Sequence, residues 1–187
     1  MKRIFIVGLA LLPVGVAQVK VEAKTTMQSR KTVSSEDRQW LKEAAEGEMK
    51  EITIGKMVSK HATQPSVRTF ASRMVKDHTK ATAQLKKLAA SKGLTLPHDM
   101  GKKNLETYHH LAQLPGSRMG HDYMMNMVED HMQDVATFRK EAVHGDDRDV
   151  KAWAKQTIPV LQQHLSLARS TAHQVRATHV SAKKPTA

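Results

Sequence analysis

Histidines and carboxylates stand at helical spacing in this chain where a core would use hydrocarbon. In Tyr123 to Phe138, YMMNMVEDHMQDVATF, the residues Met124, Met127, Val135 and Phe138 follow the three- and four-residue steps of a buried helix face. His131 falls in the middle of that stripe and Asp134 at its edge. Three other stripes carry the same kind of intrusion. Glu48 and Glu51 interrupt the series Leu41, Ala44, Gly55, Val58 and Ala62; His78 interrupts Val67, Ala71, Met74, Leu85 and Leu88; His164 interrupts Val150, Ala154, Leu161, Ala168 and Val175. Burying such groups alone costs a few kcal/mol each, so they are expected to meet one another.

Carboxylate and imidazole ligands converging from four helices suit iron, manganese or zinc, as one ion or two. The expected ligand set is Glu48, Glu51, His78, His131, Asp134 and His164. Asp77 and Asp130, each one residue before a histidine, are expected behind them, orienting the rings. Set against this is a buried network whose members satisfy one another by hydrogen bonds and fix how the helices register. A second metal reading joins Met119, Met124, Met125, Met127 and Met132 with His121 and His131 as a soft site for copper. Core packing explains Met124 and Met127 more simply, because both lie at core spacing. The ferritin-like di-iron pattern, Glu-x-x-His on each of two helices, is not met at the stripe histidines: Val75 precedes His78 by three residues and Leu161 precedes His164. Glu106 with His109 and Glu141 with His144 do have that spacing, but lie in a crossover and near a helix end.

The elements that must position these groups follow from breaks in the pattern. Ser34, Ser35 and Asp37 start a first helix, and Thr63-Gln64-Pro65-Ser66 ends it and starts a second, with proline suited to a first turn. Gly93 stops the second helix. A long crossover follows, containing Pro97 and Asp99-Met100-Gly101, with a short helix through Leu105, Tyr108 and Leu111. The third long helix is expected from about Arg118 to His144, a turn at Gly145-Asp146-Asp147, and the fourth from about Asp149 to Ala177 with Pro159 interrupting its hydrogen bonding. Shifting the chain on itself by 83 residues pairs Trp40 with Tyr123, Leu41 with Met124, Glu48 with His131, Glu51 with Asp134, Val67 with Val150, Phe70 with Trp153 and Ala71 with Ala154. The expectation is an all-α, ferritin-like four-helix bundle of two related hairpins joined by a long crossover, with the polar groups in one layer.

The segments AAEGEMKEITIGKMV, VRTFASRMVKDHTKA, YMMNMVEDHMQDVATF and VKAWAKQTIPVLQQHLSLA, with Asp-His at Asp77-His78 and again at Asp130-His131, resemble an exported bacterial family of unknown function, domain of unknown function 4142. The resemblance runs from about Arg38 to Ala172. It implies an exported, ferritin-like helical bundle with a polar centre at Glu51, His78, His131 and His164, and it implies no reaction.

Composition bounds the rest. The 187 residues contain no cysteine, which excludes disulfides, thiolate metal sites and cysteine nucleophiles. Lys2 and Arg3 before the apolar run Ile4 to Val16, with small residues at Val21-Glu22-Ala23, read as a signal peptide over residues 1–23 and a periplasmic destination. Residues 24–33 read as a flexible leader, 34–177 as the bundle and 178–187 as a basic tail. A formal net charge of +12 favours loose association with an anionic envelope polymer or membrane surface, while aromatics at 4% leave little for base stacking, so no nucleic-acid partner is expected. A homo-oligomer is open to a chain with one core. The expected function is a metal-binding or stress-associated envelope protein without assigned catalysis. The alternatives are a metal-dependent redox enzyme acting on dioxygen or peroxide, and an adhesive envelope protein with a purely structural polar layer.

Overall fold

The computed structural model describes residues 33–182, with side chains through residue 177. The expected signal segment, all of the expected leader but Val33 and the last five residues of the expected tail lie outside the described residues. Within them are five helices and no strand: α1 (Ser35–His61), α2 (Pro65–Ser91), α3 (Gly101–Ala112), α4 (Gly116–His144) and α5 (Arg148–Ala182). None is long and apolar enough to cross a membrane.

Ser34 caps α1 by accepting a hydrogen bond from the Asp37 N–H at 3.1 Å, and Pro65 occupies the first turn of α2, where its missing N–H has no intrahelical partner to lose. Gly93, at φ +68°, ends α2 by taking a left-handed conformation that costs a residue with a Cβ more. Helix α5 runs through Pro159 and continues to Ala182, past the expected end near residue 177.

Helix α1 packs on α2 and α4 on α5, and the two hairpins meet through α2 with α5 and α1 with α4, closing a ring of four long helices. Helix α3 lies across α1 and α4. One end of the ring is laced by charge. The Asp37 carboxylate, on α1, accepts from the N–H groups of Asp146 (3.0 Å) and Asp147 (2.6 Å) in the α4–α5 turn, and Lys92, after α2, donates to Asp147 and Asp149. At the other end Arg68 donates to the carbonyls of Ala62 and Thr63, and Gln64 donates to that of Ser117.

The apolar core is in two parts. One holds Ile54, Phe70, Met74, Tyr123, Met127 and Val175; the other holds Val33, Leu41, Leu85, Phe138, Trp153 and Leu161. The buried polar residues Glu48, Glu51, His78, His131 and His164 separate them along every long helix. The 83-residue relation is visible in the packing: Phe70 meets Tyr123 edge-on at 6.1 Å in one part, and Trp153 meets Trp40 edge-on at 5.6 Å in the other, so the shift exchanges the two pairs.

Two glycines on α1 test this packing. A Cβ at Gly55 would lie 2.9 Å from Val75 Cγ2 and 3.1 Å from the Ala71 carbonyl oxygen, whereas one at Gly47 would meet nothing within 4 Å. Replacing a mid-helix glycine by alanine gains about 1 kcal/mol of helix propensity. Overpacking against a fixed backbone carbonyl costs about 1–3 kcal/mol. Gly47→Ala should therefore raise the thermal midpoint by ~2–4 °C, and Gly55→Ala should lower it or leave it unchanged. Calorimetry of the two variants side by side checks the difference.

Candidate metal centre

His78 comes from α2, His131 from α4 and His164 from α5, each at the polar break in its helix's apolar stripe. The three rings form a triangle with centroid separations of 5.9 Å (His78–His131), 5.3 Å (His78–His164) and 5.4 Å (His131–His164). All three residues are at least 96% buried.

Each ring is held by one nitrogen. His78 Nδ1 donates to Glu48 Oε2 at 2.9 Å, His131 Nδ1 donates to the Met127 carbonyl one turn back at 2.9 Å, and His164 Nε2 donates to Asp77 Oδ2 at 3.0 Å. The other nitrogens, His78 Nε2, His131 Nε2 and His164 Nδ1, are buried without a hydrogen-bond partner. One ligand nitrogen of each ring lies within 4.8 Å of those of the other two. Two nitrogens bound to one ion at about 2.0–2.1 Å stand no more than ~4.2 Å apart, so small inward tilts of the rings close the set around a cation. Three buried ring nitrogens without partners, on rings packed against one another, are costly in an empty core and are what a metal ion would satisfy.

The protonation states complement this geometry. Burial pushes His131 down, reinforced by the charge of His78 against the opposing charge of Asp134. Burial, with the charges of His78 and His131, takes His164 down to about 4 despite its bond to Asp77. Both are neutral near pH 7, with the anchored nitrogen carrying the proton and the orphaned one a lone pair. Burial alone would also lower His78, but its hydrogen bond to Glu48 and the charges of Glu48, Glu51 and Asp134 outweigh it and raise the imidazole to about 9. Without a metal the centre thus holds two lone pairs and one displaceable proton.

The acids expected as ligands fall into two groups. Glu48 faces the triad indirectly, through His78. Glu51 is buried with Oε2 unpartnered, its pKa raised by burial against the charges of His78 and Lys50, and half-buried Asp134 is pushed up to about 6 by burial against the charges of His131 and His78. Asp77 holds His164 from the neighbouring helix; burial would raise its pKa, but its bonds to His164 and Arg73 hold it below the ordinary range. Asp130 departs from expectation. It accepts from Lys50, not from a histidine, because the residue before His131 points about 100° around the helix from it, and the Met127 carbonyl holds the ring instead. That carbonyl has no sequence signal. Nor was Lys50 or the buried Tyr123 hydroxyl, which is also unpartnered, anticipated at the centre. Met124 and Met127 are fully buried core, Met132 is half exposed, and Glu106, His109 and His144 are exposed.

Removing the group that holds His164 should weaken metal binding without touching a ligand. Asp77→Ala is expected to raise the dissociation constant 10- to 100-fold, measured by competition against a chromophoric chelator, with helicity unchanged.

The family described as "Domain of unknown function (DUF4142)" matches residues 22–171. Among solved structures, the crystal structure of a DUF305 fragment from Deinococcus radiodurans superposes with a TM-score of 0.66 at 11% identity, over 76% of this chain and 98% of that one, a likeness of fold. No curated protein matches the chain.

Proposed function

The chain belongs to the DUF4142 family, and from that membership and the histidine triangle we propose that it is an exported helical protein that binds a transition-metal ion on His78, His131 and His164. The observation that carries this reading is the packing of three buried imidazoles from three helices, each held through one nitrogen and unpartnered at the other, with one ligand nitrogen of each ring within 4.8 Å of those of the other two. The closed ring of long helices with a long crossover supports a ferritin-like bundle, in which side chains facing inward from several helices build a centre. Imidazoles without a directly coordinating carboxylate suit zinc, copper or iron better than manganese. Three protein ligands leave a coordination position for water or a small molecule, which favours the redox-enzyme alternative over an adhesive one.

The deciding measurement is metal content by mass spectrometry. The chain would be purified from an exporting host without chelator or affinity tag, beside a variant with all three histidines replaced by alanine that retains its circular dichroism. Close to one ion per chain in the first and none in the second is expected. An empty wild-type chain that also refuses added zinc, copper and iron would make the triangle a structural network.

A further inference from the structure

The histidine centre lies near a pocket whose charge is opposite to that of the molecule. A cavity of about 520 Å³ opens between α1 and α4 beneath the start of α3 and reaches His78. Its lining includes six carboxylates, those of Glu43, Glu46, Glu48, Glu51, Asp130 and Asp134, against three lysines, Lys50, Lys102 and Lys103, and the protonated His78 that Glu48 pairs. Lys50 is already committed to Asp130. The chain as a whole carries +12. A negative mouth on a positive protein is an arrangement that admits cations and refuses anions, since a concave, partly dry wall focuses the local field over the distant one.

The pocket also holds atoms that lack partners. Glu51 is 3% exposed and its Oε2 has no hydrogen bond; His78, 4% exposed, has none at Nε2. The roof is built to fit. Gly101 opens α3 at φ +74°, its N–H donates to Asp99 Oδ1, and a Cβ there would stand 2.8 Å from Glu46 Oε2, so the Glu46 carboxylate is tucked under the first turn of α3.

We propose that this pocket is a cation-loading site, in which Glu51 and Asp134 take a hydrated divalent metal ion from solvent and pass it to the histidines through His78. The inference rests on the metal-binding reading above and assigns the pocket's acids a role apart from the final ligands. Carboxylate oxygens bind a hydrated ion readily and release it to nitrogen ligands that hold zinc, copper or iron more tightly.

The test is stopped-flow uptake of Co²⁺, followed by its visible absorption, in the full chain. For wild type at low ionic strength, uptake should slow as salt is added, because screening weakens attraction to the acidic mouth. Uptake that quickens with salt would mean the net positive charge governs approach, and would overturn the proposal. Glu51→Gln with Asp134→Asn keeps shape and removes charge. It should slow both uptake and chelator-driven release at least tenfold, leaving one ion per chain and an affinity no lower than that of wild type, while Glu129→Gln on the outer face of α4 changes nothing. Unchanged rates in the double variant, or a loss of affinity through faster release alone, would overturn the loading role and leave the histidine centre standing. A wild-type chain that takes up no Co²⁺ would remove the centre itself and the loading site with it.

Discussion

His131→Phe is expected to weaken metal binding by about two to three orders of magnitude while leaving the metal-free protein as stable as before or more so. The ring is fully buried and its Nε2 has no partner, so a phenyl group fills the same space, removes an unsatisfied polar atom and costs only the bond from Nδ1 to the Met127 carbonyl. Replacing buried polar groups by apolar ones of similar volume is often neutral or stabilising. For the metal the effect is opposite. Zinc-finger sites with four ligands bind with about 10–16 kcal/mol, or roughly 2.5–4 kcal/mol per ligand, so losing one of three should weaken binding by about 70- to 900-fold. His131→Ala would weaken binding too, but leaves a cavity that lowers stability by about 2–4 kcal/mol. Isothermal titration with Zn²⁺ and thermal denaturation of the metal-free variants together make the test. A phenylalanine variant that binds Zn²⁺ like wild type would show that His131 is no ligand.

The second large effect is on pH. Because His78 is held protonated to about pH 9 by Glu48 and its acidic neighbours, a metal must displace a proton from it, whereas His131 and His164 are already neutral. Affinity should rise about tenfold per pH unit, close to 100-fold between pH 6.5 and 8.5, and flatten above about 9. Calorimetry in two buffers of different ionisation heat at pH 7.5 should find about one proton released per ion. The stability of the metal-free protein should move the other way. A histidine whose folded pKa lies above its unfolded value of about 6.5 contributes stability that is fully present below 6.5 and is lost as pH rises through 9. A flat affinity profile would place His78 outside the coordination shell.

Much of this was legible in the residues. Period 3.6, the caps at Ser34 and Pro65 and the stop at Gly93 located the long helices to within a few residues, because each rests on local backbone chemistry. The intrusion of His78, His131 and His164 into apolar stripes marked the centre, since only a shared partner makes such burial tolerable. What could not be read were the directions of side chains. Glu48 and Glu51 sit one turn apart on the same helix, yet one is spent on His78 and the other ends unpaired. Asp77 and Asp130 share the same sequence setting before a histidine, but Asp77 reaches across to His164 on another helix while Asp130 is taken by Lys50. The crossover read as a connection, and its helix proves to roof the pocket, a role set by packing against α1 and α4 that no local pattern encodes.

The exchange of Phe70–Tyr123 with Trp153–Trp40 has a consequence for how many ligands the frame can offer. Two identical hairpins related by a twofold axis deliver every side chain in duplicate, so the imidazoles at their shared centre come in even numbers. In this chain the counterpart of His78 is Leu161, that of His164 is Ala81, and that of His131 is Glu48. A triangle of three is therefore beyond the reach of a self-paired hairpin and requires both halves in one polypeptide, free to differ position by position. The crossover does more than link two pieces: it permits an odd, lopsided centre inside an almost symmetrical frame.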